Sequence, residues 1–153
     1  MVIALYQPDI PPNAGTILRL GACLGVPVHF VGPAGFDSSE RGFRRAGLDY
    51  LDHATLVNHV SFATFEEWRC GEGRRLVLLT TKAATEHLHF SFLPNDVLLA
   101  GRETTGAPEH VHQAADARIK IPMRAGLRSL NVAVAVAMVL GEALRQTKQF
   151  PGQ

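Results

Sequence analysis

Three short stretches hold the residues of this chain that could do chemistry. Residues 7–15 (QPDIPPNAG) carry Asn13, and the helical pattern that follows carries Arg19. Residues 101–109 (GRETTGAPE) carry Gly101, Arg102, Glu103 and Gly106. Residues 122–131 carry Arg124, Arg128, Ser129 and Asn131. The last group puts much hydrogen-bonding capacity directly beside a strongly apolar helix, which marks that junction for binding or catalysis. Taken singly, each signal is weak. An Asn-x-Gly before a helix is also an ordinary cap, and Gly101 and Gly106 are also ordinary turn glycines. Position gives them weight, because each stretch follows a strand and ligands of open α/β sheets bind outside the carboxyl ends of the strands.

The elements that must position these loops are readable from apolar patterning. Strands are expected at 2–6 (VIALY), 28–31 (VHFV), 52–58 (the weakest), 75–80 (RLVLLT), 96–100 (DVLLA) and 118–121. Helices are expected at 15–24, capped by Asn13, and at 36–47, with Arg41, Arg44 and Arg45 on a cationic face. A third runs from Ser61 as cap through Phe62, Phe65 and Trp68, and a fourth spans 130–146, capped by Ser129 or the residue beside it. Three prolines place 7–15 outside regular structure. Strands alternating with helices predict an α/β domain with a largely parallel sheet. The last helix is apolar almost all round, so it must be buried on two sides. One side meets the sheet, and the other is expected to meet a second copy of the chain.

Composition narrows the classes. The 153 residues suit a single domain, 1–153, and 15 basic against 14 acidic side chains give no global field for a polyanion or membrane. Cys23 and Cys70 lack CxxC spacing and read as free thiols in a reducing compartment. Met1 leads into a strand without a basic segment, and the apolar run 132–140 is far short of the ~20 residues a membrane span needs. A cytoplasmic protein is expected. No GxGxxG follows the first strand and no GxxxxGK[ST] occurs, which disfavours ordinary Rossmann and P-loop sites. His87-x-His89 and His110-x-His112 have no third ligand at recognisable spacing, so no metal is expected, and His59 reads as surface.

Read together, the three loops carry a resemblance. Asn13-Ala-Gly15 with Arg19, LLAGRETTG ending at Gly106, and Ile121-Pro-Met with Arg128-Ser129-Leu-Asn131-Val resemble the three motifs of the SPOUT-class RNA methyltransferases. IPPNAGTILRL, RRAGLDY (44–50), LTTK (79–82) and the closing EALRQ are similar to the small TrmL-type (YibK-like) tRNA 2′-O-methyltransferases, in order and over nearly the whole chain. The resemblance implies a SPOUT fold, a mostly parallel sheet flanked by helices with a deep C-terminal trefoil knot. It implies a pocket for S-adenosylmethionine made by Leu79, Thr80, Gly101, Ile121, Ser129 and Leu130, and a homodimer through the helix at 130–147. It also implies the substrate: the ribose 2′-hydroxyl of the wobble nucleotide, cytidine or 5-carboxymethylaminomethyluridine at position 34 of leucine tRNAs. The alternative is an inactive RNA-binding module that kept the fold.

A ribose hydroxyl is a poor nucleophile until its proton leaves, whereas a sulfonium methyl is already activated. Such an enzyme mainly needs a base, in-line positioning and a dry pocket. Under the resemblance Arg19, Asn13, Glu103, Ser129 and Asn131 are the catalytic candidates. Because a guanidinium stays protonated, Arg19 is better suited to hold a phosphate than to take a proton. Glu103 orients Arg19 or Asn13, while Ser129 and Asn131 steer the ribose and the donor. Arg41, Arg44, Arg45, Lys82, Arg124 and Arg128 are the expected phosphate contacts, with Tyr6 available to stack on a base. Arg102, Thr105 and Gly141 stand where these relatives usually have Pro, Arg and Tyr, departures that bear on nucleotide specificity.

Overall fold

The computed structural model describes residues 1–38, 41–42 and 51–152. Arg44, Arg45 and the RRAGLDY stretch lie outside these residues. Arg41 lies within them, exposed and helical with Gly42. The strands are β1 (Val2–Tyr6), β2 (Val28–Val31), β3 (Leu56–His59), β4 (Leu76–Leu79), β5 (Thr85–Glu86), β6 (Val97–Ala100) and β7 (Ala117–Lys120). The helices are α1 (Pro11–Leu24), α2 (Phe62–Gly71), α3 (Glu109–Ala114) and α4 (Val132–Thr147).

The strands form one sheet in the order β3-β2-β1-β6-β4-β7-β5, and all the strand pairs are parallel. Both faces are covered, as a parallel sheet requires. Alternation along β1 shows it: Ile3 and Leu5 pack with Ile17 of α1 and Leu140 of α4, while Val2, Ala4 and Tyr6 pack with Phe65 of α2 and Val111 of α3. Because every strand runs the same way, the carboxyl ends of β1, β6, β4 and β7 lie side by side on one edge.

Helix starts correct the expectations twice. α1 begins at Pro11, with prolines in its first two positions and no side-chain cap at Ile10. Those prolines do not break the helix, because amides of a first turn lack intrahelical partners anyway. Asn13 is therefore inside the first turn, and its side chain is released for the site. At α4 the cap is Asn131 rather than Ser129 or its neighbour: Asn131 Oδ1 accepts from the amides of Ala133 at 2.8 Å and Val134 at 3.3 Å. Such a cap contributes about 1 kcal/mol. Ser61 caps α2 as expected, in a reciprocal capping box with Thr64. β5 and α3 were not expected, being too short to carry a period.

α4 buries Val136, Val139, Leu140, Ala143 and Leu144, while Val134 is 50% and Met138 45% exposed. The outward stripe Val134, Ala137, Met138 recurs at helical spacing. His59 is not plain surface. It is half-buried, with its Nε2 2.9 Å from Nδ1 of the buried His29, beside the Phe65 and Trp68 rings. Burial and the neighbouring His59 hold His29 down at about 4. No helix among the described residues is long and apolar enough to cross a membrane.

Candidate active site

A cavity of about 620 Å³ opens at the carboxyl ends of β1, β6, β4 and β7. Its size is that of a small-molecule site. The chain order reverses direction here, since β2 and β3 are laid down on one side of β1 and the later strands on the other. Such a switch point is where α/β sheets leave a crevice.

The loop after β6 is folded tightly on itself. Gly106 donates to the Arg102 carbonyl at 2.9 Å and Arg102 returns the bond at 3.3 Å. Gly106 has φ +71°, and a Cβ at Gly101 would lie 2.5 Å from the Ala107 nitrogen. Neither position accepts a side chain without the backbone moving. Both glycines are thus turn residues, and the turn they allow holds Gly101 and Glu103 against the cavity.

Hydrogen bonds tie the three loops together. Asn13 Nδ2 donates to Glu103 Oε1 at 3.4 Å, and Asn131 Nδ2 donates to Asn13 Oδ1 at 2.8 Å. Glu103 Oε2 accepts the Asp9 amide at 3.0 Å, while Asp9 Oδ1 accepts the Glu103 amide at 3.3 Å. The Thr104 hydroxyl donates to Asp9 Oδ2. Contact with Glu103 pulls the Asp9 carboxyl below the usual carboxylate range; burial first, then Asp9, pushes Glu103 above it.

Asn13, Glu103, Ser129 and Asn131 all line this cavity, as do Leu79, Thr80, Gly101, Ile121 and Leu130. Lys82 and Arg128 stand at it too, and both are exposed. Three expectations part from this arrangement. Arg19 does not line the cavity and sits on an exposed face of α1. Six residues beyond Asn13, it lies roughly 240° further round the helix. Tyr6 is only 6% exposed, with its ring edge-on to Phe62 and His110, so it is core and no base can stack on it. Arg124 is exposed in the loop after β7 without lining the cavity. The sequence reading missed Asp9, Lys120 and Met123. Lys120 and Met123 line the cavity beside Ile121, and Asp9 grips Glu103 from behind. Among the described residues no three His, Cys, Asp or Glu side chains gather as a metal would need.

The chain is similar to known proteins along most of its length. Residues 1–141 match the SpoU rRNA Methylase family. A protein of Ancylobacter novellus described as tRNA (cytidine(34)-2′-O)-methyltransferase is 60% identical over 150 residues, covering 98% of this chain and 95% of its own. The protein of the same description from Escherichia coli K12 is 40% identical over 152 residues, with the same coverage. A solved structure described as "Structural insights into the 2-OH methylation of C/U34 on tRNA" superposes with a TM-score of 0.86. It is 42% identical and covers 94% of this chain and 93% of that one. The SpoU methyltransferase AviRb of Streptomyces viridochromogenes, solved in complex with AdoMet, gives a TM-score of 0.84 at 28% identity. That match covers 95% of this chain and 57% of its own. With most of its length matched in sequence and in fold, the chain belongs to the SpoU methylase family.

Proposed function

We propose that this protein is an S-adenosylmethionine-dependent tRNA 2′-O-methyltransferase acting on the ribose of nucleotide 34, in leucine tRNAs. The observation that carries the reading is the convergence of Asn13, Glu103, Ser129 and Asn131 on one cavity that Leu79, Ile121 and Leu130 also line. The residues suit the donor. Leu79, Ile121 and Leu130 offer apolar surface to a purine, loop 101–107 folds tightly on itself because Gly101 has no side chain, and polar side chains line the same cavity. S-adenosylmethionine supplies an activated methyl on a sulfonium.

The remaining tasks fall to this chain. Ser129 and Asn131 orient the ribose hydroxyl beside the donor. Glu103 is desolvated and shares its environment with Asp9, so it holds a proton more readily than an ordinary carboxylate and is suited to receive one from the hydroxyl side. Lys82 and Arg128 meet the phosphates flanking the target nucleotide, and Arg41 and Arg124 extend that contact along the anticodon loop. Arg19, outside the cavity, holds a phosphate rather than taking a proton. Two chains pair through the outward stripe of α4, and the segment through the last loops is threaded as a trefoil knot. The protein works in the cytoplasm.

Purified protein incubated with labelled S-adenosylmethionine and unmodified leucine tRNA tests the reading. It requires 2′-O-methyl label at nucleotide 34, and binding of tRNA without any transfer overturns it in favour of an inactive RNA-binding module. For the dimer, Val134→Lys shifts the protein to monomer size in sedimentation, and a fully active monomer would refute the pairing.

A further inference from the structure

We propose that Asp9 is a positioning residue of the site: it fixes the Glu103 carboxyl as the acceptor that ends the amide series running from Asn131 through Asn13. This rests on the methyltransferase reading for its kinetic consequence, but the geometry stands apart from it.

The argument starts at the far end of the chain of bonds. The α4 amino terminus needs an acceptor, and Asn131 Oδ1 supplies it to Ala133 and Val134. That choice turns Asn131 Nδ2 outward, where it donates to Asn13 Oδ1 at 2.8 Å. Asn13 can then present only its Nδ2 to Glu103, at 3.4 Å. Every donor in the series points the same way, from the helix terminus toward the carboxyl pair, so each bond polarises the next. A single reversed amide would place two donors or two acceptors face to face.

What holds the last member is Asp9. Each of the two residues accepts the other's backbone amide, Asp9 N–H to Glu103 Oε2 at 3.0 Å and Glu103 N–H to Asp9 Oδ1 at 3.3 Å. The Thr104 hydroxyl fixes the second Asp9 oxygen. This clasp joins the loop after β1 to the loop after β6, 94 residues apart in sequence. Arg102 favours the ionised Asp9 through space while donating from Nε to the Gln7 carbonyl at 3.3 Å. Of the pair, Asp9 behind the cavity is the carboxyl held low and Glu103, which faces Asn13, is the one held high. Asp9 itself is absent from the cavity lining, so it acts through the lining residues it holds, Glu103 first and then Thr104.

Nuclear magnetic resonance and kinetics together test this. The probes are the Glu103 carboxyl carbon titration and the side-chain amide signals of Asn13 and Asn131, in the wild-type protein and in Asp9→Asn, Asp9→Ala and Thr104→Val. In Asp9→Asn the Glu103 midpoint moves down toward the ordinary carboxylate value and both asparagine amide pairs shift. Thr104→Val, which removes only one hydroxyl, gives the same changes in smaller degree and covers the case in which an Asp9 variant fails to fold. Turnover of tRNA falls about 10–100-fold in Asp9→Ala, with Asp9→Asn intermediate and the KM for S-adenosylmethionine within about threefold of wild type, as befits a group that orients without touching the donor. A Glu103 midpoint unmoved in every variant overturns the proposal. So does a moved midpoint with turnover unchanged. Wild-type protein that transfers no methyl defeats the methyltransferase reading instead, and the midpoint and amide signals then decide the role of Asp9 alone.

Discussion

The two edges of the sheet treat their carboxylates in opposite ways. At the amino edge, where β4, β6 and β7 begin, acids meet arginines. Asp96 is wholly buried and takes both arms of the Arg75 fork, at 2.8 and 2.7 Å, with the Leu93 amide at 2.8 Å. Asp116 takes Arg69 at 3.0 Å and the Leu76 amide at 2.7 Å. Arg69 in turn is spanned by Glu66. At the carboxyl edge, acid meets acid: Asp9 and Glu103 clasp each other, and Arg102 acts on Asp9 only through space. The first edge pairs Asp96 and Asp116 with arginines and backbone amides and ties strands together. The second leaves polar groups aimed into a cavity and keeps one carboxyl readier to hold a proton. On the proposed function one edge serves stability and the other chemistry, although the strands between them are shared.

The sharpest way to break this contrast is at the amino edge. Asp96→Ala strands the Arg75 guanidinium and the Leu93 amide, and loss of one partner of a buried pair costs about 3 kcal/mol. Urea unfolding should show that loss, while S-adenosylmethionine affinity of the folded fraction stays within about twofold, since nothing at the cavity is touched. A collapse of donor affinity at unchanged stability would reverse the assignment of the two edges. Next in size is Gly101→Ala. Its Cβ would press on the backbone of Gly106 and Ala107, so the loop after β6 must shift. Overpacking of this kind costs about 1–3 kcal/mol, and here donor binding, read by calorimetry, weakens with it.

The smallest effect separates the two carboxyls of the clasp by sign. Glu103 is held above its ordinary range, so its contribution to stability is fully present below the unfolded pKa and is lost as pH rises through the folded one. Glu103→Gln removes that loss. Its stability relative to wild type should therefore rise between acid and neutral pH, even as turnover falls, which is the usual trade between stability and activity. Asp9, held low, has the opposite sign: its contribution is present above the unfolded pKa and is lost as pH falls through the folded one. A relative stability of Glu103→Gln that falls on going to neutral pH would contradict the clasp.

Much of this was legible in the chain. β1, β4 and β6 are unbroken apolar runs, which a parallel strand covered on both faces must be, and the polar loops after β1, β6 and β7 stand out between them. That the loops share one cavity follows from strand order, which local patterning does not encode; the resemblance to known methyltransferases supplied it. The failures have physical causes. Prolines 11 and 12 read as breakers because nothing local says that the helix starts on them. Arg19 and Asn13 looked like neighbours until helical geometry placed them on different faces. Tyr6 ends a strand whose residues are all buried. Asp9 could have been noticed as the acid of the proline loop, but its partner is 94 residues away and no spacing rule reaches that far.

Hydrogen exchange with and without S-adenosylmethionine asks most directly whether the carboxyl edge is the working one. The donor should slow exchange in 79–82, 101–107 and 121–133, and leave 72–76, 93–96 and 115–117 at the amino edge unchanged. Protection confined to the amino-edge segments would place the site at the wrong end of the sheet.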